Sequence, residues 1–481
     1  MSKSITKNSI FYFIYNLLNM IFPFLTSMYV ARVLPPVAIG EVAYAKNIVS
    51  YFSILAFLGL PTYGLREISK ARNNYDELCK LFSELFIINF ASTVIFSLAY
   101  YGMIFFIPEF QKQILLYVVV GITVVLNMLN ISWLYEGLEE FRYVSIRNGV
   151  FKLFMFLLLL LAVRSPDDMI PYAFIAVFGV AGNNIVNIIY SRNFVRFTLQ
   201  GLHIARHMKS IFMLVMVNLA IEVYSLVGTS LLGILSTKEN VAFYSYATRA
   251  NAILLQFNKT ITMVLVPRIA LYYSEGKMTE FNLLLSKALK VLVMMAVPMI
   301  VLMQFTADFL FPQLFGLSYL YSAYVEKILC VVVLIAPVGY LLGSRVMLIS
   351  GKENIMVFCV SAGAIVNAVS NYFLIKAYGG IGAAIATVIS EMVVATLYVS
   401  YGSKVFKLFP LRRNFMNVGM ATALMCIFLF LTKWSFAKGW MLFIVQILGS
   451  ITVYSLVLLM MRDTVFCDFM NRLVLKLGLK L

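Results

Sequence analysis

The sequence predicts an all-α polytopic membrane protein of about fourteen transmembrane helices, and three observations predict it. Of 481 residues, 62% are apolar and 12% charged, where soluble chains carry about a quarter charged residues. Mean hydropathy is +0.92. The apolar residues gather in runs of about 20, the length that crosses a hydrocarbon core, and the basic residues crowd into alternate connections between those runs.

The spans, in order, are 8–30, 37–60, 82–107, 114–135, 146–163, 170–190, 211–235, 240–267, 288–311, 325–349, 355–375, 380–401, 415–434 and 439–461. The first is too long for a signal-peptide core and lacks a small-residue cleavage site, so it is expected to be a permanent span. Lys152 interrupts the fifth, and Glu41 and Lys46 the second. Pro23, Pro298 and Pro337 interrupt others and predict bends, as packing features or as hinges.

One set of connections carries charge groups such as Arg66, Lys70, Arg72 and Lys80, or Arg268, Lys277, Lys287 and Lys290. The intervening set carries mostly single residues, among them Arg32, Lys112, Arg164 and Lys238. The positive-inside rule then places both termini in the cytoplasm. The net charge of +17 is thus a topological signal, and no nucleic-acid partner is expected. Two basic connections, Phe194–Ser210 and Tyr273–Lys290, are expected to form helices lying on the inner membrane surface.

All connections are short, which leaves no room for a soluble catalytic domain, and no enzyme is expected. No nucleophile elbow, phosphate loop or metal-ligand cluster occurs, so no catalytic residue, metal or cofactor is assigned. Cys79, Cys330, Cys359, Cys426 and Cys467 stand singly and read as free thiols. His203 and His207 share the spacing of a metal pair, but nothing acidic or thiol-bearing flanks them, and a solvated face is the better reading. The run "GGIGAAIA" from Gly379 has no strand before it, so close helix packing explains it better than a nucleotide loop.

The chain carries a weak internal repeat. One register pairs Asn16 with Asn218, Ser27 with Thr229 and Tyr44 with Tyr246; a second pairs Gly137 with Gly351 and Glu139 with Glu353. Both map span one onto seven and five onto eleven. Two pseudo-symmetric six-helix lobes follow, plus two extra C-terminal helices, as in transporters built from repeats. The expected domains are 1–200, 201–410 with a linker at its start, and 411–481.

Four cations lie inside spans: Lys46, Lys152, Arg249 and Lys259. At 100° per residue, Asn218, Glu222, Ser225 and Thr229 share an arc of about 60°, as do Ser245, Arg249, Gln256 and Thr260. The first register sets Lys46 opposite Thr248 and Asn47 opposite Arg249. A central cation facing lipid costs about 2.5–3.5 kcal/mol, so these stripes are expected to line a wet cavity. The alternatives are snorkelling to an interface, the better reading for Lys152, and a structural ion pair between Glu222 and one of the cations.

The stretch "SITKNSIFYFIYNLLNMIFPFLTSMYVARVLPPVAIGEVAYAKNIVSYFSILAFLGLPTYGLREISKARN", Ser4–Asn73, resembles the start of bacterial polysaccharide flippases that export O-antigen, capsule or similar repeat units. "WLYEGLEEFRYVSIRNGVFKL" at Trp133–Leu153, "RSPDD" at Arg164–Asp168 and "GNNIVNIIYSR" at Gly182–Arg192 are similar to the same family; the second half matches mainly in its spans and in "GIGAAIATVISE". The superfamily also holds multidrug and toxin extruders and lipid II flippases.

The resemblance implies an undecaprenyl-diphosphate-linked oligosaccharide, moved from the cytoplasmic to the outer face of the bacterial inner membrane by alternating access. The protein would act as a monomer, with polymerase and chain-length proteins of the pathway as candidate partners. Lys46, Arg249 and Lys259 are then candidates for the diphosphate. Asn16, Asn218, Gln256, Tyr44, Tyr244 and Tyr246 are candidates for the sugars, and Glu222 for coupling or an ion pair. The competing reading is a cation- or proton-coupled extruder of organic cations, which calls for a net acidic cavity.

Overall fold

The computed structural model describes residues 5–410, 412–432 and 438–476; within these, the side chains of 5–17, 20, 216–218, 220, 221, 223, 259–264, 469 and 472–476 stand outside the description. Among the described residues every regular element is helical. The chain divides into two compact units, Met1–Ala242 and Phe243–Leu481.

The first unit contains α1 (Ile5–Val33), α2 (Pro36–Phe57), α3 (Leu60–Ala71), α4 (Tyr75–Phe106), α5 (Pro108–Gln111), α6 (Ile114–Leu126), α7 (Ser132–Gly137), α8 (Phe141–Ala162), α9 (Met169–Val177), α10 (Asn183–Ser191) and α11 (Ala205–Leu235). Helix α12 (Lys238–Ser274) begins there and continues into the second unit. That unit adds α13 (Met278–Phe315), α14 (Leu320–Leu329), α15 (Val332–Gly339), α16 (Val346–Ile349), α17 (Glu353–Gly402), α18 (Arg412–Thr432), α19 (Gly439–Met460) and α20 (Thr464–Lys476).

Among the described residues, ten helical stretches are long and apolar enough to cross a membrane. Nine each coincide with one expected span, and the tenth, Glu353–Gly402, covers both 355–375 and 380–401. It is broken at Gly379, whose φ of 56° and ψ of −127° leave the helical region; an L side chain is disfavoured there. The expected spans 8–30, 211–235 and 240–267 fall on α1, α11 and α12, each of which includes side chains outside the description. The chain is a multi-pass, all-helical membrane protein.

In hydrocarbon a helix break is tolerated only where the freed carbonyls find donors, and buried asparagines supply them. Helix α6 ends in a 3₁₀ turn at Asn127–Leu129, where the Asn89 amide of α4 donates to Asn127 O at 3.0 Å and Met128 O at 3.2 Å. Between α14 and α15, Asn251 and Asn258 of α12 donate to Leu329 O at 3.2 Å and Val333 O at 3.1 Å.

Neither basic connection forms a separate surface helix. After α10 the chain runs without regular structure through residues 195–199, and its amides are taken by side chains of α4: Arg196 N donates to Cys79 Sγ at 3.2 Å and Thr198 N to Ser83 Oγ at 2.9 Å. The second connection is absorbed by α12 and α13, with a tight turn at Gly276, φ 71°. Basic amphipathic composition mimicked a surface helix because this strap also presents one face to the protein and one to water.

Candidate functional site

The first unit holds Lys46 half-buried on α2, its Nζ 5.4 Å from the Tyr172 ring centroid on α9. A cation over an aromatic face keeps part of the stabilisation that water would have given it. The next residue, Asn47, is buried and donates to Ser230 Oγ of α11 at 2.6 Å; Tyr51 OH and the same Ser230 Oγ stand 2.8 Å apart. This polar contact, made by the residue after Lys46 and by Tyr51 about one turn further on, ties α2 to α11.

Lys152 departs from expectation. It does not snorkel: its Nζ hydrogen-bonds Asn19 Oδ1 on α1. The reason is position, because α8 starts at Phe141, which puts Lys152 about 16 Å along the helix rather than near the interface. One helical turn or so before it, the Arg147 guanidinium lies 5.2 Å from the Tyr143 ring centroid. Spacing alone pointed to neither as an inward-facing cation, although an asparagine in α1 at matching depth was a usable signal.

Tyr44, expected to meet sugars, is a packing residue in this conformation. Lys238 Nζ sits 3.5 Å from its ring centroid and donates to Gly233 O at 3.1 Å. A Cβ at Gly233 would lie 2.1 Å from Tyr44 Cδ2, and one at Gly40 only 1.7 Å from Lys238 O, so glycine permits both approaches. The Tyr44 ring fills the space that Gly233 opens, and the Lys238 backbone fills that at Gly40.

The histidine reading also changes. His207 is buried, with Nδ1 2.7 Å from Tyr63 OH and Nε2 2.7 Å from Glu84 Oε2. The carboxylate of Glu84, itself 0% exposed, also accepts from Arg206 Nη2 at 2.6 Å and from His203 N at 2.5 Å. The acid missing from the linker comes from α4, far away in sequence. This knot holds the strap, and no metal-binding group of His, Cys, Asp or Glu occurs among the described residues.

In the second unit, Arg249 is half-buried on α12, its guanidinium carbon 5.4 Å from the Tyr246 ring centroid. Tyr246 is 1% exposed and packed by Phe315 and Tyr319 at 4.8 and 4.6 Å between centroids. It acts as a seat for Arg249, and burial removes it as a sugar contact in this conformation. Tyr244 is likewise buried, its hydroxyl 3.0 Å from Thr387 Oγ1. Gln256 is exposed, two turns beyond Arg249, and Glu222 is exposed on α11. The side chains of Asn16, Asn218 and Lys259 lie outside the described residues.

The second unit also contains a cavity of about 890 Å³. Met294, Met299 and Tyr454 contribute to a mostly apolar lining, and Arg268, Lys287 and Lys290 contribute cations. Those three read as ordinary connection charges in the sequence; only the packing of α12, α13, α19 and α20 reveals that they share one hollow. Such a hollow suits a long apolar chain carrying an anionic end.

Comparison with known proteins agrees with this architecture. A described candidate O-antigen transporter of Escherichia coli (strain K12) is 21% identical over 407 residues, 83% of this chain and 96% of the relative. The structure of the lipid II flippase MurJ in an inward closed conformation superposes with a TM-score of 0.76 at 16% identity, covering 97% of this chain and 100% of that one. An inward-facing multidrug resistance MATE family transporter of the MOP superfamily superposes with a TM-score of 0.63 at 13% identity, covering 80% and 93%. The family profile described as polysaccharide biosynthesis protein matches residues 5–273, more than half of the 481, and the chain therefore belongs to that family.

Proposed function

We propose that the protein is a flippase that moves undecaprenyl-diphosphate-linked oligosaccharide units from the cytoplasmic to the outer face of a bacterial inner membrane by alternating access, for O-antigen, capsule or another surface polysaccharide. The observation that carries this reading is the apolar cavity bearing Arg268, Lys287 and Lys290. A polyprenyl tail needs an apolar bed, and a diphosphate needs cations that can bond its oxygens. Membership of the polysaccharide biosynthesis family supports a sugar-bearing lipid as the cargo.

In this reading the chain makes fourteen spans, arranged as two six-helix lobes, 1–200 and 201–410, with two further spans in 411–481 and both termini in the cytoplasm. Lys46, Arg249 and Lys259 are proposed to meet the diphosphate during transit, separately from the cations of the cavity. Gln256, Asn16 and Asn218 are proposed to meet the sugars, with Tyr44 and Tyr246 in a conformation that exposes their rings. The protein acts as a monomer beside polymerase and chain-length proteins. A cation extruder calls for an acidic cavity, whereas the cavity here is lined by Arg268, Lys287 and Lys290 against one acid, Asp468.

The test is transport of a lipid-linked oligosaccharide into sealed proteoliposomes at matched protein abundance. Wild type is expected to transport, and Lys46→Ala, Arg249→Ala and Lys287→Ala each to lose most of the rate. A wild type that moves organic cations but not the lipid would replace this reading.

A further inference from the structure

Helix α14 carries Ser322 and Glu326 one turn apart, both 0% exposed. Neither carboxylate oxygen of Glu326 has a hydrogen-bond partner, nor does Ser322 Oγ. Asn251 of α12 lies against the same helix, donating to Leu329 O at 3.2 Å, and its own Oδ1 is buried without a donor. Unpaired buried oxygens thus stand along this stretch of α14, and among them only the Ser322 hydroxyl carries a proton to donate.

The cations and donors nearest in sequence are engaged elsewhere. Lys327 Nζ bonds Asp308 of α13 at 2.5 Å, and Gln304 Nε2 of α13 donates to Lys327 O at 2.6 Å and reaches Cys330 Sγ at 3.3 Å. Other titratable or charged groups on or beside α14 are Tyr319, Tyr321 and Tyr324. Helix α12 contributes Tyr246 and Arg249, the latter against the Tyr246 ring. Helix α17, which also packs on α14, contributes Tyr372, Lys376, Tyr378 and Glu391, with Lys376 3.9 Å from the Tyr372 ring centroid.

A purely structural carboxylate would be paired, because an ionised one with no bonds in a dry interior is strongly penalised. The neutral acid fits this packing and brings one O–H donor to a place short of donors. Ionisation would demand water or a cation, which the packing around the fully buried Glu326 excludes. Loss of the proton and parting of the helices around it are therefore linked steps.

We propose that Glu326 is an exchangeable-proton site: it binds one proton as the carboxylic acid when α14 and its neighbouring helices are closed and releases it when they part. Its use to drive the cargo rests on the flippase reading above, but the proton binding itself does not.

The test has two arms. Infrared difference titration of the purified wild type in lipid nanodiscs, without cargo, is expected to show a protonated-carboxyl band that comes and goes with pH. The band should be lost in Glu326→Gln, kept in Glu222→Gln and displaced in Glu326→Asp, which serves if the Gln variant fails to fold. A titration identical in wild type and Glu326→Gln overturns the site, as does a wild-type band that never responds to pH. In sealed proteoliposomes, lipid-linked oligosaccharide transport should depend on an imposed pH gradient in wild type and lose that dependence in Glu326→Gln; a retained dependence overturns the coupling. A wild type that moves no such lipid but keeps the infrared titration would sink the flippase reading and leave the proton site standing.

Discussion

Two straps, one in each compact unit, show how the same local device can serve different ends. In the first unit the segment after α10 runs along α4, with Arg196 N on Cys79 Sγ and Thr198 N on Ser83 Oγ. In the second the segment after α17 runs along α13, with Lys407 N on Asn282 Oδ1 at 3.0 Å and Phe409 N on Ser286 Oγ at 3.0 Å. Cys79 and Ser83 answer to Asn282 and Ser286 with the same spacing, one residue off the register that pairs Asn16 with Asn218. The residue after Ser83 is Glu84, and the one after Ser286 is Lys287. Glu84, itself buried, closes the first strap into a hydrogen-bonded knot with the partly exposed Arg206 and the buried His207, whereas Lys287 opens onto the apolar cavity. One half uses the position to anchor its strap and the other leaves a cation at the edge of a cavity, and a single change of charge separates them.

The largest test removes the anchor. Glu84→Ala leaves Arg206, His207 and His203 N without their shared acceptor, and because Arg206 can turn to water the loss should cost about 2 kcal/mol, mainly from the buried His207 and the His203 amide. Denaturant unfolding in micelles should show it, and limited proteolysis should open the chain between 192 and 204. Lys287→Ala should leave the second strap protected from protease; if both variants open their straps equally, the contrast drawn between the two halves is wrong.

Next comes the root of the second strap. A Cβ at Gly402 would lie 2.2 Å from Leu342 O, so Gly402→Ala should cost about 2 kcal/mol through forced backbone movement. The first unit carries Ser191 at the matching place, its Oγ bonded locally to Ile188 O at 2.8 Å, and Ser191→Ala should cost no more than about 1 kcal/mol. Equal losses in thermal unfolding would break the comparison.

The individual strap bonds should be of similar worth. Ser83→Ala and Ser286→Ala each remove one acceptor from a backbone amide, at about 1 kcal/mol, and hydrogen exchange should quicken at Thr198 and Phe409 respectively. A difference of more than about tenfold in protection lost would show that one strap is held mainly by something else.

The smallest effect lies outside both straps. Asp168 Oδ2 accepts from Arg164 N at 2.8 Å and Ser165 N at 2.6 Å, and these bonds hold its carboxyl below the usual value of 3.8. The charged form is favoured by folding, so this stabilisation is present above pH 3.8 and is lost as pH falls through the lowered folded value. Protection of the two amides, corrected for intrinsic exchange, should fall in that acid window in wild type and be pH-independent in Asp168→Asn.

The sequence by itself determined the solvent, the helical class and the positions of most spans, because hydrocarbon forces every span to satisfy its own backbone and leaves long apolar runs as the record. It also marked Lys46 and Arg249, since cations inside such runs are costly and therefore conspicuous. It misjudged groups whose meaning depends on a partner far along the chain. His207 seemed solvated because its carboxylate belongs to α4, Lys152 seemed free to snorkel because its acceptor belongs to α1, and Lys287 and Lys290 seemed ordinary connection charges. Tyr44 and Tyr246 seemed available because their rings offer a polar tip, but glycines and facing aromatics bury them. Only the tertiary structure decided these points, since hydrogen bonds and cavities are made between helices, where spacing along one helix carries no information. Glu326 is the sharpest case: it draws no notice at the start of the apolar run 325–349, yet it is a buried carboxyl without a hydrogen-bond partner on a helix packed by α13 and α17.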